Sequence, residues 1–277
     1  MFADDTKMFN VVYENRNDTV QNDLKALSDW SKRWQLKFNI NKCKVIHYGN
    51  SNPQMQFTMP TEEGDEDLPN ANTEKDLGVT FDQSLKFSLH TNEAVNKANR
   101  LIGLVRRSFA YMDKDMFLPL YKSIIRPHLE YASCIWYPLL KGDLDKLERV
   151  QRRATKIVKK LRDKSYDQRL KELGLPTLNY RRRRADIIQV FKIIKGLDDI
   201  EAETFFDFRE DSRTRGHQFK LRKPRARLKI RSHSFSCRIV NTWNNLYHTT
   251  VQAENINAFK DQLNKDRAMG DKFCYQF

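Results

Sequence analysis

Apolar residues recur at helical spacing along much of the chain. After Asp18 or Thr19, both suited to cap a helix N-terminus, apolar positions within 20–34 follow one helical face. Four further apolar stripes lie at 94–105, 117–125, 144–161 and 187–194, and Pro127 is expected to end the second of these helices. Since each stripe needs a partner to cover it, the pattern predicts a helical bundle.

Short β-prone runs lie on either side of these helices. Residues 7–13 favour a strand, residues 36–40 and 45–48 a strand pair, and residues 77–82 a strand with a turn. Residues 50–73 hold three prolines and an acidic cluster, so they are expected to form an exposed loop. Beyond residue 204 short strands mix with a helix near residues 234–246. The sequence therefore predicts an α+β fold that is mainly α.

The composition narrows the class of protein. The chain has 277 residues, 39% of them hydrophobic, which is enough for packed cores. It contains no apolar run of the roughly 20 residues that a membrane helix needs, and its start lacks a secretion signal. Four scattered cysteines without a CxxC pair argue against a zinc finger or a disulfide scaffold. The net charge of +14 points to a polyanionic partner, although it also fits a merely soluble basic protein.

Basic side chains form three groups. Arg225, Arg227, Lys229 and Arg231 alternate with apolar residues, so a strand here would place all four cations on one face, suited to a phosphate backbone. The alternative is a solvated edge strand protected from aggregation by its charges. The second group, Arg181, Arg182, Arg183 and Arg184, begins a predicted helix, where cations oppose the helix dipole unless an anion lies nearby. The third helix carries Arg152, Arg153, Lys156, Lys159 and Lys160 off its apolar stripe.

Other candidate residues are aromatic or acidic. Trp136, Tyr137 and Trp243 are candidates for stacking on bases, with a place in the core as the alternative, which we expect for Trp243. Asp4 and Asp5 precede a β-prone run, and adjacent carboxylates in a tight turn suit divalent cations of the kind used in nucleotidyl transfer. A solvated turn or a helix cap explains the same pair.

The order of several motifs resembles the reverse transcriptases of non-LTR retrotransposons, specifically the LINE-like Jockey/CR1 kind. FADDTK at 2–7 is similar to their catalytic Asp-Asp turn, LKFNINKCK at 36–44 to the next palm motif, and DLGVTFD at 76–82 to the primer-grip region. Residues 120–132 and 147–154 resemble the thumb and the region beyond it, and residues 238–246 and 257–260 resemble the C-terminal tail. The likeness covers nearly the whole chain in the family's order.

This resemblance implies RNA-directed DNA synthesis on an RNA template with a DNA primer. It places Asp4 and Asp5 at two Mg²⁺ ions, Lys42 near the incoming triphosphate, and Leu77, Gly78 and Val79 beneath the primer end. Arg152, Arg153, Arg181, Arg182 and the row Arg225, Arg227, Lys229 and Arg231 are the candidate nucleic-acid contacts. The location expected is intracellular, in the nucleus where target DNA lies or in the cytoplasm.

The chain departs from that family at its start, because the fingers and the palm aspartate that should precede Asp4 are missing. We therefore expect a partial palm at 1–90, a helical thumb-like region at 91–200 and a basic C-terminal region at 201–277. We also expect no polymerisation by the chain alone, with the missing N-terminal half of the polymerase as a further partner. Two alternatives are a non-catalytic basic protein that binds RNA or DNA, and a reading frame with no selected role.

Overall fold

The computed structural model describes residues 6–11, 18–61, 64–209 and 217–273. It divides the chain into two compact units, Met1–Leu85 and Lys86–Phe277. Its small antiparallel hairpins and many helices agree with the predicted α+β, mainly α, class. Among the helices within the described ranges, none combines the length and apolar character needed to cross a membrane.

In the first unit one helix packs on a hairpin. Helix α1 spans Asp18–Trp34, and strands β1 (Thr58–Pro60) and β2 (Asp65–Asp67) pair antiparallel. Gln21 fastens the helix to the hairpin, because its amide donates to the Thr58 carbonyl at 2.8 Å and accepts from the Thr58 N–H at 3.1 Å. The small core beneath them contains Leu24, Phe57, Met59 and Leu68.

The β1–β2 hairpin corrects the expectation of an exposed loop at 50–73. Phe57 and Met59 alternate with polar neighbours and are 6% and 4% exposed, so this segment follows strand periodicity. The acidic residues at 65–67 form the exposed partner strand. Their charge made the whole segment resemble a loop in the sequence, so the alternation at Phe57 and Met59 was missed.

The expectation of a strand pair at 36–40 and 45–48 is also wrong. Residues Ile40–Lys42 form a 3₁₀ turn, and Val45 makes only an isolated parallel bridge to Asn70. The described part of the strand expected at 7–13, residues 7–11, is exposed and has no regular structure. These runs have β-prone side chains, but strand formation also needs a partner backbone in register.

The strand and turn expected at 77–82 are confirmed. Strands β3 (Thr73–Asp76) and β4 (Val79–Asp82) pair antiparallel, with Asp76 opposite Val79. Leu77 and Gly78 form the two-residue turn, with φ of 43° and 82°. Two consecutive positive φ values are the type I′ pattern, whose twist matches that of the flanking strands.

The second unit is built mainly from helices. The longer ones are α2 (Ser88–Ser108), α5 (Lys141–Ala154) and α7 (Leu178–Ile194), which match three of the predicted stripes. The remaining described α-helices and strands of this unit are α3 (Lys114–Leu120), α4 (Pro127–Glu130), α6 (Tyr166–Leu173), β5 (Asp207–Phe208), β6 (Leu221–Arg222), α8 (Lys229–Ser232), α9 (Phe235–Arg238), α10 (Val240–Asn244), α11 (His248–Val251) and α12 (Ile256–Leu263).

Pro127 begins a helix instead of ending one. It occupies the first turn of α4, where its missing N–H is not needed. The preceding residues, Tyr121–Ile125, form a π turn in which the Arg126 N–H donates to the Tyr121 carbonyl at 2.8 Å. This wider turn carries the helical path past the proline, which cannot donate to the carbonyl four residues earlier.

The core of the second unit joins α7 to the C-terminal elements. The rings of Phe191 and Phe259 stack with centroids 4.0 Å apart, and Trp243 is completely buried between its neighbours, as expected. The predicted boundary at 200/201 therefore falls inside one compact unit that shares a hydrophobic core. The palm, thumb and tail assignments remain predictions.

Candidate nucleic-acid interface

The arginines at 181–184 lie in the first half of α7, after Thr177 caps its N-terminus. Arg181 pairs with Glu130, with one N–H donated at 2.7 Å. Arg183 donates to the Ala268 carbonyl at 3.3 Å, and Arg184 donates to the Asn264 side chain at 3.1 Å. Burial by itself would lower the pKa of Arg181, but the hydrogen bond and charge of Glu130 outweigh it and raise that pKa. The anion expected near this run is thus partly supplied by the protein itself.

Arg182 is 1% exposed, so the structure gives it no surface for a nucleic acid. Its guanidinium lies 4.1 Å from the centroid of Trp136 and donates to the Leu129 carbonyl at 2.6 Å. Burial lowers the pKa of Arg182 to about 10. This arginine supports the core, and the sequence signal that suggested a binding role came only from its position in a run of four.

Arg152 and Arg153, by contrast, lie on an exposed and continuous cationic surface. It extends from α5 through two 3₁₀ turns, Thr155–Ile157 and Lys159–Leu161. We call this surface the α5 ridge; its exposed members are Arg149, Arg152, Arg153, Lys156, Lys159 and Lys160. Within the part of the chain that the structure describes, none of the six makes a salt bridge to a carboxylate. Their charge is therefore available to an outside anion.

Packing of α2 against α5 holds the ridge in place. Ala94 and Ala98 are small and buried, and Leu147 and Val150 of α5 are 1% and 2% exposed. Small side chains permit a close approach of two helices, so the apolar stripe of α5 points inward and its cations point outward. The sequence periodicity fixes this orientation.

A shallow groove of about 120 Å³ runs between α2 and α5 beside the ridge. Its lining includes Val95 and Asn99 from α2 and Lys146, Arg149, Val150 and Arg153 from α5. Asn99 accepts a hydrogen bond from Arg153 at 3.0 Å, and Asn92 accepts one from Lys146, also at 3.0 Å. Lys146 also pairs with the Asp143 carboxylate at 2.8 Å, which partly compensates its charge. The neutral amide of Asn99 orients Arg153 without cancelling its charge, an arrangement suited to binding phosphate.

Directly beneath the ridge α5 carries a buried polar network. Glu148 is 2% exposed, accepts from the Tyr166 hydroxyl and accepts from the Leu178 N–H at 3.0 Å. Burial raises the pKa of Glu148 to about 7. Gln151 donates to the Pro176 carbonyl at 3.0 Å and accepts from the Tyr121 hydroxyl. The network links α5 to its neighbours and so fixes the helix from which the ridge projects.

The basic row at 225–231 is not the strand that its alternation suggested. Residues 223–227 have no regular structure, and Lys229–Ser232 form the short helix α8. Arg225 still lies between less exposed neighbours, but Leu228, which follows Arg227, is 68% exposed, and Lys229 and Arg231 follow a helical turn. Two residues apart on a helix is about 200° of rotation, so the four cations do not share a face. All four are nevertheless exposed.

The structure also changes which aromatic residues are candidates for stacking on bases. Trp136 and Trp243 are completely buried, and the Tyr137 ring lies 4.8 Å from the guanidinium of Arg238. An exposed aromatic residue beside the ridge is Tyr111, whose ring centroid lies 5.8 Å from Lys159 Nζ. Sequence reasoning missed it, although the run of Arg106, Arg107, Phe109 and Tyr111 interleaves cations with aromatic side chains.

The structure describes only some of the residues that were expected to serve catalysis. Asp4 and Asp5, the predicted Mg²⁺ ligands, lie outside the described residues. Lys42 is exposed at the end of a 3₁₀ turn. Leu77 and Gly78 form the β3–β4 turn, and Val79, which follows, is 2% exposed. The described ranges contain no group of three or more His, Cys, Asp or Glu side chains that could hold a metal ion.

These features define a basic, mainly helical α+β protein with a group of exposed cations on the α5 ridge. The chain is 22% identical over 165 residues to a protein of Drosophila melanogaster named probable RNA-directed DNA polymerase from transposon X-element. The match covers 57% of this chain and 18% of that protein, so the chain corresponds to less than a fifth of its relative. The similarity supports a distant relationship to transposon reverse transcriptases. No family model and no solved structure matches the chain.

Proposed function

We propose that this chain is part of a non-LTR retrotransposon RNA-directed DNA polymerase of the Jockey/CR1 kind, and that its helical unit binds nucleic acid. The similarity to the X-element polymerase is the observation that carries the proposal. The ordered motifs in the sequence and the exposed α5 ridge support it. Its proposed site of action is intracellular, at nuclear target DNA or in the cytoplasm.

The α5 ridge supplies the binding surface in this proposal. Each phosphate that a cation neutralises releases condensed counterions, and this release drives binding without reading the sequence. Arg149, Arg153 and Lys156 are four and three residues apart, so they follow one side of the helix and its extension. The ridge therefore suits the backbone of an RNA template or a DNA primer.

The proposed chemistry is nucleotidyl transfer at the other end of the chain. Asp4 and Asp5 would hold Mg²⁺, which in such sites activates the attacking and leaving oxygens. Lys42 would bind the incoming triphosphate, and Leu77, Gly78 and Val79 would support the primer end. We further propose that this chemistry needs the remainder of the polymerase, since the chain matches only 18% of its relative.

A primer-extension assay tests this division of labour. The chain alone should not extend an annealed DNA primer on an RNA template in Mg²⁺. Adding the upstream part of a related polymerase in trans should restore extension, and Asp4→Asn with Asp5→Asn should abolish the restored activity. Robust extension by the chain alone would contradict the proposal.

A non-catalytic nucleic-acid-binding protein is the second candidate function. The observation that favours it is the α5 ridge, which lies in the second unit and does not depend on Asp4 or Asp5. Under this alternative, binding persists but no upstream segment restores extension. The two functions therefore differ in the same assay.

Binding itself is tested by removing charge from the ridge. Replacing Arg149, Arg153 and Lys156 with Ser should weaken binding of a labelled oligonucleotide by about tenfold or more, because three phosphate contacts disappear. The matched control replaces Lys171, Lys265 and Arg267, three exposed cations elsewhere in the second unit, and should bind nearly as the native chain does. Equal losses in both variants would show that only net charge matters.

The basic row is a secondary part of the proposed interface. Changing Arg225, Arg227, Lys229 and Arg231 to Ser should weaken binding and flatten its dependence on salt, because all four are exposed. An unchanged salt dependence in the fourfold variant would remove the row from the interface.

A further inference from the structure

Tyr111 is an exposed aromatic side chain held on a short, well-anchored connection between α2 and α3. Its side chain is 49% exposed, although the next residue, Met112, is 3% exposed and ties the connection to the core. Asp113 then caps α3 by accepting from the Met116 N–H at 2.9 Å. The ring is thus presented to solvent from a backbone that is fixed immediately after it.

One cation lies close to this ring in space, and two more precede it in the sequence. Lys159, a member of the α5 ridge, places its ammonium 5.8 Å from the Tyr111 ring centroid, within the range of a cation–π interaction. Phe109, two residues earlier and 37% exposed, follows Arg106 and Arg107 in the last turn of α2. Near the C-terminal end of α2 the chain therefore places exposed aromatic surface beside exposed cations.

We propose that Tyr111, assisted by Phe109, stacks on unpaired bases of a single-stranded nucleic acid whose phosphates follow the α5 ridge. The inference rests on the proposed function and adds the substrate class, a single strand. Every base has an aromatic face, so stacking is tolerant of sequence and suits a protein that must bind any template. A duplex hides those faces between neighbouring base pairs and offers only its backbone to the ridge.

The two kinds of contact predict different responses to salt. Phosphate contacts release counterions, so their loss lowers the slope of affinity against salt. Stacking releases none, so its loss lowers affinity at every salt concentration and leaves the slope unchanged. The aromatic site and the ridge can therefore be measured separately on the same oligonucleotide.

The experiment measures binding of the full chain to a labelled single strand, as RNA and as DNA, and to a blunt duplex of equal length. Tyr111→Leu should weaken single-strand binding by about fivefold or more, with the salt slope and duplex binding unchanged. Tyr111→Trp should retain single-strand affinity, because a larger aromatic ring still stacks. Tyr247→Leu is the matched control, since Tyr247 is 48% exposed, and it should have no effect. RNA and DNA arms show whether the strand is template or primer.

Several results would overturn the inference while leaving the proposed function intact. These are native single-strand affinity in Tyr111→Leu, an equal loss on the duplex, or a loss in Tyr111→Trp as large as that in Tyr111→Leu. If the native chain bound neither the single strand nor the duplex, the proposed function would be overturned as well. Thermal unfolding of each variant identifies any loss that comes from misfolding.

Discussion

Asp186 and Arg238 form a two-pronged ion pair inside the second unit. Nε and Nη2 of Arg238 each donate to an Asp186 oxygen at 2.8 Å, and Nη2 also donates to the Cys134 carbonyl at 2.9 Å. Burial outweighs the arginine and raises the pKa of Asp186, and burial also raises the pKa of the neighbouring Cys134 thiol to about 12. Removal of either charge would leave its partner buried without compensation.

We therefore predict that Asp186→Ala lowers the free energy of unfolding by about 3–5 kcal/mol. Glu172→Ala, which breaks the exposed pair with Lys164, should cost at most about 1 kcal/mol. Urea unfolding of the two variants checks the difference. Equal small effects would mean that the Asp186 site admits water or relaxes.

The raised pKa of Glu148 predicts a dependence of stability on pH. Its pKa is about 7 in the folded protein against 4.5 as the ordinary value, so between these values the folded state binds more protons than the unfolded state. The contribution of Glu148 to unfolding free energy should therefore fall as pH rises through this window and level off above about pH 7. Glu148→Gln should lose that slope, which unfolding measured at pH 5 and pH 8 would show. An identical slope in both proteins would contradict the assignment.

Residue roles were the least predictable part of the structure. The run at 181–184 and the ridge both consist of basic residues, yet Arg182 is buried against Trp136 and Arg153 is exposed. The difference arises because carbonyls and Glu130, distant in sequence, meet α7 in the fold. No local pattern encodes those partners.

At the scale of elements, hydrophobic periodicity located the long helices correctly. Helices α2, α5 and α7 each bury the apolar face that their spacing indicates. Helix α1 buries Leu24 but leaves Trp30 and Trp34 42% and 62% exposed. The errors concern strands, at 36–48, 50–73 and 225–231, because a strand exists only with a hydrogen-bonding partner that the local sequence does not name. Pro127 was misinterpreted because a proline is compatible with both the first turn of a helix and the end of one, and the local sequence does not distinguish the two.

The β3–β4 turn gives a prediction at this scale. Gly78 has a φ of 82°, a conformation that costs other residues free energy. Gly78→Ala should destabilise the hairpin by about 1 kcal/mol or more, whereas Leu77→Asn should be neutral or stabilising, because Asn-Gly is the favoured type I′ pair. Thermal unfolding of the two variants tests the turn type. A stabilising Gly78→Ala would exclude it.

At the scale of the whole molecule, the cations behind the net charge of +14 differ in how accessible they are to an outside anion. Some cations are engaged within the fold by a carboxylate, a carbonyl or an aromatic ring, as are Arg181, Arg182 and Arg238. The α5 ridge keeps its charge exposed, and it lies beside an exposed aromatic side chain. Binding should therefore depend on where the charge lies more than on its total.

The measurement that tests this account most directly is the salt dependence of oligonucleotide binding. We predict that affinity falls steeply with salt for the native chain. In the Arg149, Arg153 and Lys156 to Ser variant, the slope should be smaller by about two to three, since each phosphate contributes about 0.7–0.9. The control at Lys171, Lys265 and Arg267 should keep the native slope. An unchanged slope in the ridge variant, with the fold intact, would contradict the assignment of nucleic-acid binding to the α5 ridge.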